Sequence, residues 1–204
     1  MKSYPSIVRV DQSGWNRDLY TFDKLDGSNL RFEWSRKTGW FKFGTRKRLF
    51  DRNDPVFGQA IPLFMDTLAE PLAEIAYNNK WVNIVAFCEF WGKNSLAGRH
   101  NPEDPKNLTL FDVSIYRYGM LGPKEFLNHF KYLPIPNFLG VQKWNKSFVE
   151  KVRNSQFDKI TFEGVVGKSG DYDDLTLVKC KTNNWLDAIR RLYAEDEARK
   201  IINS

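Results

Sequence analysis

Apolar and polar positions alternate most clearly over residues 29–35, where Leu30, Phe32 and Trp34 interleave with Arg31, Glu33 and Ser35. That period of two predicts a strand with one buried and one wetter face. Arg36-Lys37-Thr38-Gly39 then reads as the turn of a hairpin whose return strand covers 40–44. Shorter strands are predicted over 7–10 and 19–23. Helical periodicity takes over across 58–77, where Leu63, Phe64, Leu68, Leu72, Ile75 and Ala76 form one stripe. Pro62 and Pro71 interrupt it, so two shorter helices are an alternative. Further strands are predicted over 82–90, 108–118, 161–166 and 175–181, and helices over 123–131 and 147–155. An amphipathic helix over 185–202, with Leu186, Ile189, Leu192 and Tyr193 on one side, closes the chain.

Strand-rich sections interrupted by helices, without regular βαβ alternation, predict an α+β domain built on antiparallel sheets with flanking helices. At 204 residues the chain can bury a substantial core, and no linker divides it, so one domain over 1–204 is expected. Residues 92–107 form a polar stretch longer than most connections inside compact domains, which marks a functional or mobile loop.

Composition narrows the setting. No apolar run approaches the ~20 residues of a membrane helix, and the start, Met1-Lys2-Ser3-Tyr4-Pro5, lacks the apolar core of a secretory signal. A cytoplasmic protein with no membrane partner is therefore expected. Cys88 and Cys180 are too few for a disulfide framework and read as buried thiols. The formal net charge of +6 gives mild support for a polyanionic partner.

The candidate chemistry begins at Lys24-Leu25-Asp26-Gly27-Ser28-Asn29, directly after the predicted strand over 19–23. It continues in order through Glu89 in Phe87-Cys88-Glu89-Phe90-Trp91-Gly92, Phe111 in Leu110-Phe111-Asp112-Val113, Glu163-Gly164-Val165-Val166, and Lys179-Cys180-Lys181. Taken singly, each has a plain structural reading: Asp26-Gly27 is a turn signal, Phe111 a core aromatic, and Lys179 with Lys181 a solvated strand face. Their conjunction in this order is the stronger signal.

Together these motifs resemble those of the covalent nucleotidyltransferases, the superfamily of ATP-dependent DNA ligases, RNA ligases and mRNA capping enzymes. The resemblance implies a nucleotidyltransferase fold, of the ATP-grasp-like ligase type, with its sheets around a nucleotide cleft. It implies that Lys24 is adenylylated, with Asp26, Gly27 and Asn29 in the same nucleotide-binding motif. Glu89 would reach the ribose and, with Glu163, a Mg2+ or Mn2+ ion. Phe111 and Val166 would sandwich adenine, and Asp23 would meet the purine edge. Lys179 and Lys181 would contact the α-phosphate. Arg36 is the best match to a phosphate-contacting arginine, with Lys37 its rival by one residue of register. A lysine nucleophile must first lose its proton, and at a pKa of ~10.4 only about one side chain in a thousand is neutral near pH 7.5. Lys179 and Lys181, two apart on a strand, project to one face and could help.

Asparagine five residues after the nucleophile, behind Ser28, resembles the phage RNA ligase 2 family, whereas DNA ligases usually carry arginine there. Asp26 stands where many of those RNA ligases have histidine. After Lys181 only one helix is predicted, leaving no appended OB-fold or C-terminal domain. The expectation is a monomeric ATP-dependent RNA ligase, compatible with a phage origin, that joins 5′-phosphate and 3′-hydroxyl ends through lysyl-AMP and a 5′-adenylylated strand. A small DNA ligase, a capping-type guanylyltransferase and a non-catalytic nucleic-acid-binding module are the alternatives, and DNA or RNA/DNA nicks are alternative partners. From Arg36 to Arg52 seven basic residues interleave with Trp40, Phe41, Phe43 and Phe50, a mixture suited to phosphates and bases but equally to a charged hairpin with buried aromatics. Arg99 and His100 would add to that surface.

Overall fold

The computed structural model describes residues 1–12, 16–93 and 104–203. Arg99 and His100 lie outside them. One sheet contains β1 (Val8–Arg9), β2 (Arg17–Lys24), β8 (Phe138–Trp144), β9 (Gly164–Ser169) and β10 (Thr176–Lys181), in the spatial order β1-β10-β9-β2-β8. The other contains β3 (Gly27–Ser35), β4 (Gly39–Thr45), β5 (Asn83–Trp91), β6 (Asn107–Ile115) and β7 (Gly119–Met120), in the order β4-β3-β5-β6-β7. Pairing is antiparallel except between β1 and β10. This is the α+β class that the sequence predicts.

The alternation in β3 works as expected: Leu30, Phe32 and Trp34 are buried beneath α1 (Ala60–Phe64), a π-helical turn (Met65–Ala69) and α2 (Glu70–Asn78). Phe32 and Phe64 stack with ring centroids 3.9 Å apart. The two prolines do not split the segment into separate helices. It runs on through the π turn, and the Trp40 indole N–H donates to the Ala69 carbonyl at 2.9 Å. Pro71 follows the π turn directly, as the second residue of α2.

Helices α3 (Pro123–Phe130) and α4 (Lys146–Arg153) lie near their expected positions. α4 packs Phe148 and Val152 against Leu19, Trp144, Val165 and Val178 of the first sheet. Three expectations need correction. Residues 108–118 are not one strand: β6 stops at Ile115, and Arg117 turns the chain at φ 69. The strand expected over 161–166 starts later, at Gly164. The closing helix is two, α5 (Asn183–Leu192) and α6 (Glu195–Asn203), because Tyr193 adopts extended backbone at φ −123, ψ 151.

Candidate active site

Register alone gathers the basic and acidic motif residues. β9 lies between β2 and β10, and Gly164 pairs with Lys24 on one side and Lys181 on the other. The residue just before Gly164 is Glu163, so its carboxylate falls between the two lysines. Oε2 is 2.8 Å from Lys24 Nζ and Oε1 is 3.2 Å from Lys181 Nζ. Gly164 must be glycine: φ is 147, and a Cβ would sit 2.0 Å from the Cys180 carbonyl oxygen.

The second sheet supplies the opposite wall. Pairing of β3 with β5 sets Asn29 beside Glu89 and Gly27 beside Trp91. A Cβ on Gly27 would lie 2.5 Å from the Phe90 carbonyl oxygen, so this glycine lets the two strands close on the site. Between the sheets is a cavity of about 320 Å³, at the lower end of the ~300–1,000 Å³ usual for small-molecule sites. Asp23, Lys24, Gly27, Asn29, Glu89, Phe111, Glu163, Val166, Lys179 and Lys181 all line it. Asp26 does not line it but is buried close enough to act on Lys24 and Glu89 through its charge.

Arg36 is the exception. It sits seven residues beyond Asn29 along the hairpin, roughly 23 Å at ~3.3 Å per strand residue. It is tied at the far end, donating to the Tyr77 carbonyl at 2.8 Å and lying over the Tyr77 ring. Lys37 follows it in the same exposed turn. The cation that the hairpin does bring to the cavity is Arg46, because pairing of Leu30 with Thr45 returns the chain to the cleft end of β3. Counting back along that hairpin register would have found it.

Sequence reasoning also missed the N-terminal arm and a buried support. Tyr4, Ser6 and Ile7 line the cavity, and the Tyr4 ring meets Phe111 edge-on at 5.0 Å. The Tyr4 hydroxyl donates to Asp112 Oδ2 at 2.5 Å, and Lys168 Nζ bonds that same oxygen and the Phe111 carbonyl, each at 2.8 Å. Phe111 is thereby held at its ring by Tyr4 and at its carbonyl by Lys168. Trp185 of α5 and Ile201 and Asn203 of α6 complete the lining, and Lys181 Nζ lies 3.9 Å from the Trp185 ring centroid. No local motif announces these contacts, since each joins parts of the chain far apart.

Charge in the site is finely opposed. Among the described residues, Lys24, Arg46, Lys168, Lys179 and Lys181 face the cavity against Asp23, Glu89 and Glu163. Burial pulls the Lys24 ammonium down, but Glu163, Glu89 and Asp26 outweigh burial and hold it above its ordinary value. The neighbouring lysines do not dominate it. Burial, then Lys181 and Lys24, bring Lys179 down to about 8. Lys181 is lowered by burial against the pull of Glu163. Glu89 is pushed up to about 8 by burial, with Lys24 opposing.

Asp23 is also raised by burial, against two hydrogen bonds from Thr161, whose backbone N–H donates at 3.0 Å and whose hydroxyl also donates. Its carboxylate is thus a strap between β2 and the approach to β9, already occupied by Thr161 where the sequence suggested a purine contact. Asn29, half-buried on the cavity wall, makes no protein hydrogen bond through its buried Oδ1.

An alternating wall of cations and acids at the ends of paired strands defines an anion site that can also take a hard cation. Among the described residues no three acidic, histidine or cysteine side chains form a ready metal cage. Mg2+ ordinarily takes only one or two protein carboxylates and completes its shell with water and phosphate oxygens. Glu89 and Glu163 are the carboxylates on the cavity wall that such an ion would draw on, Glu163 being held between Lys24 and Lys181.

The fold is that of ATP-dependent RNA ligases of known structure. An archaeal ATP-dependent RNA ligase superposes over 100% of this chain and 56% of its own, with a TM-score of 0.68 at 16% identity. A Naegleria gruberi RNA ligase variant with ATP and Mn matches 91% of this chain and 57% of its own, with a TM-score of 0.66 at 14% identity. The same ligase with PPi gives a TM-score of 0.67 at 16% identity, again over 91% and 57%. This chain spans a little over half the length of these structures. No family model and no curated protein matches it in sequence. Among the described residues no helix is long and apolar enough to cross a membrane.

Proposed function

We propose that the chain is the nucleotidyltransferase portion of an ATP-dependent RNA ligase, resembling the phage RNA ligase 2 family, with Lys24 as the nucleophile. The observation that carries the reading is the Lys24–Glu163–Lys181 arrangement at the mouth of paired strands, inside a fold shared with RNA ligases. ATP would enter with its adenine between Phe111 and Val166 and its phosphates toward Arg46, Lys179 and Lys181. Glu163 and Glu89 would hold a divalent cation, which supplies charge neutralisation at the phosphates.

Lys24 Nζ, once neutral, forms a bond to the α-phosphorus as the bond from phosphorus to the pyrophosphate oxygen breaks. Glu163, at 2.8 Å, is the group placed to accept the lysine proton. Lys179 and Lys181 stabilise the phosphoryl group in flight, where charge complementarity is the main source of rate. The AMP then passes to a 5′-phosphate, and a 3′-hydroxyl displaces it. Asn29 in place of the arginine usual in DNA ligases supports RNA as the substrate.

The test has two stages. ATP labelled at the α-phosphate should transfer its label to the protein with Mg2+ present, ATP being preferred over GTP. The labelled protein is then offered 5′-phosphorylated RNA or DNA, nicked or single-stranded, and RNA is expected to discharge it. Discharge by DNA alone would turn the assignment to a DNA ligase. Labelling by GTP in preference to ATP would turn it to a capping-type enzyme, and no labelling would leave a binding module.

A further inference from the structure

We infer that the end of the second sheet remote from the cavity, where the β6–β7 turn meets the β3–β4 turn and the end of α2, is a second RNA-binding surface that stacks unpaired bases. The inference rests on the reading of this chain as acting on RNA. Glu89 marks the cavity end of β5 and Asn83 the other, six residues or roughly 20 Å away at strand rise. Ser35 pairs with Asn83, and the Tyr116 backbone N–H bonds the Asn83 carbonyl at 3.0 Å, so the two turns are neighbours.

Three exposed tyrosines stand at this end, Tyr77, Tyr116 and Tyr118, and a fourth, Tyr132, lies just past α3. Tyr116 is 59% exposed, Tyr118 64%, Tyr132 85% and Tyr77 48%. Cations accompany them: Arg117 lies 5.3 Å from the Tyr116 ring centroid, Arg36 5.1 Å from that of Tyr77, and Lys131 Nζ 4.9 Å from that of Tyr132. Trp81 meets the His129 ring at 5.2 Å, which brings Lys131 and Tyr132 alongside. Tyr77 also packs its ring edge-on against buried Trp34 at 5.1 Å, whereas Tyr116 and Tyr118 stand in the turn itself, where a flat ring beside a guanidinium suits a base and its phosphate together.

Positive φ at Lys80 (φ 59) and Arg117 (φ 69) comes from the chain reversals that bring this end together: Lys80 closes α2, with the Trp81 N–H bonded to the Ala76 carbonyl at 2.9 Å, and Arg117 makes the β6–β7 turn. Tyr118 packs on Tyr172 at 6.2 Å. Beyond it Asp171, Asp173 and Asp174 repel phosphate, which bounds the surface on that side.

The surface would hold the strand flanking the ends to be joined, so long RNA should gain from it and very short RNA should not. Binding is read by fluorescence anisotropy with oligouridylates of about 16 and about 4 nucleotides, a range typical of single-strand sites. The Tyr116→Ala/Tyr118→Ala double variant should bind the long strand about tenfold more weakly or worse. The short strand should be unaffected. Tyr116→Phe/Tyr118→Phe should restore wild-type binding, which separates stacking from the phenol hydroxyls, and Arg117→Glu should weaken binding in a salt-dependent way.

Labelling with ATP should be unchanged in all of them, and the same measurement checks that each variant is folded. Equal loss for short and long strands, or no loss in the double Ala variant, overturns the inference. So does poly-glutamate competing as well as RNA of the same length, which would assign the surface to an acidic protein. Wild-type protein that binds long RNA through these tyrosines but takes no label from ATP would instead overturn the proposed function and leave this surface standing.

Discussion

On one face of β3, Leu30, Phe32 and Trp34 lie in an apolar layer against α1, the π turn and α2. On the other face, Asn29 reaches the cavity with an unpartnered oxygen, and Arg31 is buried against the N-terminal arm, donating to the Lys2 carbonyl at 2.9 Å and the Ser3 hydroxyl at 3.0 Å. The same strand thus separates a layer made for stability from one that carries opposed charge. Buried acids and lowered lysines cost folding free energy, and the apolar layer offsets that cost. Substitutions on the two faces should therefore fail in different ways.

Glu163→Ala gives the largest expected effect. It removes the proton acceptor for Lys24 and strands two lysines, and transfer of label from ATP should fall by ~10²-fold or more. The fold should survive, as circular dichroism would show, since Glu163 ends no core packing. Equal labelling by this variant would detach the acid from the chemistry.

Phe64→Ala reverses the pattern. Losing the ring stacked on Phe32 should cost about 3–5 kcal/mol in denaturant unfolding. Labelling per folded molecule should stay close to wild type. A large loss of labelling in fully folded variant would mean that the two faces are coupled.

Glu89→Gln sharpens the comparison through pH. With its carboxyl pushed up to about 8 from 4.5, folded Glu89 keeps a proton that the unfolded chain has released. Between those values the folded state binds more protons, so stability falls as pH rises through the window. The variant should lack that fall and melt a few degrees above wild type at pH 8, while losing labelling at every pH. Parallel melting profiles from pH 5 to 8 would refute the strained-acid account.

Cys180→Ala should do least. Cys180 points from β10 into the layer under α4, away from Lys179 and Lys181, and burial pushes its thiol up to about 12. Labelling should be unchanged, with a stability loss of about 1 kcal/mol.

Much of the architecture was legible because the β3 segment alternates in sequence, β5, β6 and β9 are apolar-rich runs buried along most of their length, and the 36–39 turn fixes the hairpin. The site motifs were legible because their order along the chain follows the strands: Lys24 ends β2, Glu163 precedes β9, Lys181 ends β10, and Phe111 lies within β6. β8 escaped notice: its residues are largely half-buried or exposed, and Gly140 at φ 86 breaks the alternation. Closeness in sequence to the first motif points to Arg36, with Lys37 its rival, although a hairpin carries its turn away from the site and returns its far end, with Arg46, to the cleft. The Tyr4–Asp112–Lys168 support and the contacts of α6 depend on tertiary approach between distant segments, which local pattern does not encode.

The most direct test of the central claim is the intact mass of the protein after incubation with ATP and Mg2+. Wild type should gain the mass of one AMP, lose it again when pyrophosphate is added, and carry it on Lys24 in the peptide map, while folded Lys24→Ala gains nothing. An adduct that persists in Lys24→Ala, or a wild-type protein with no adduct under any divalent cation, would contradict the account.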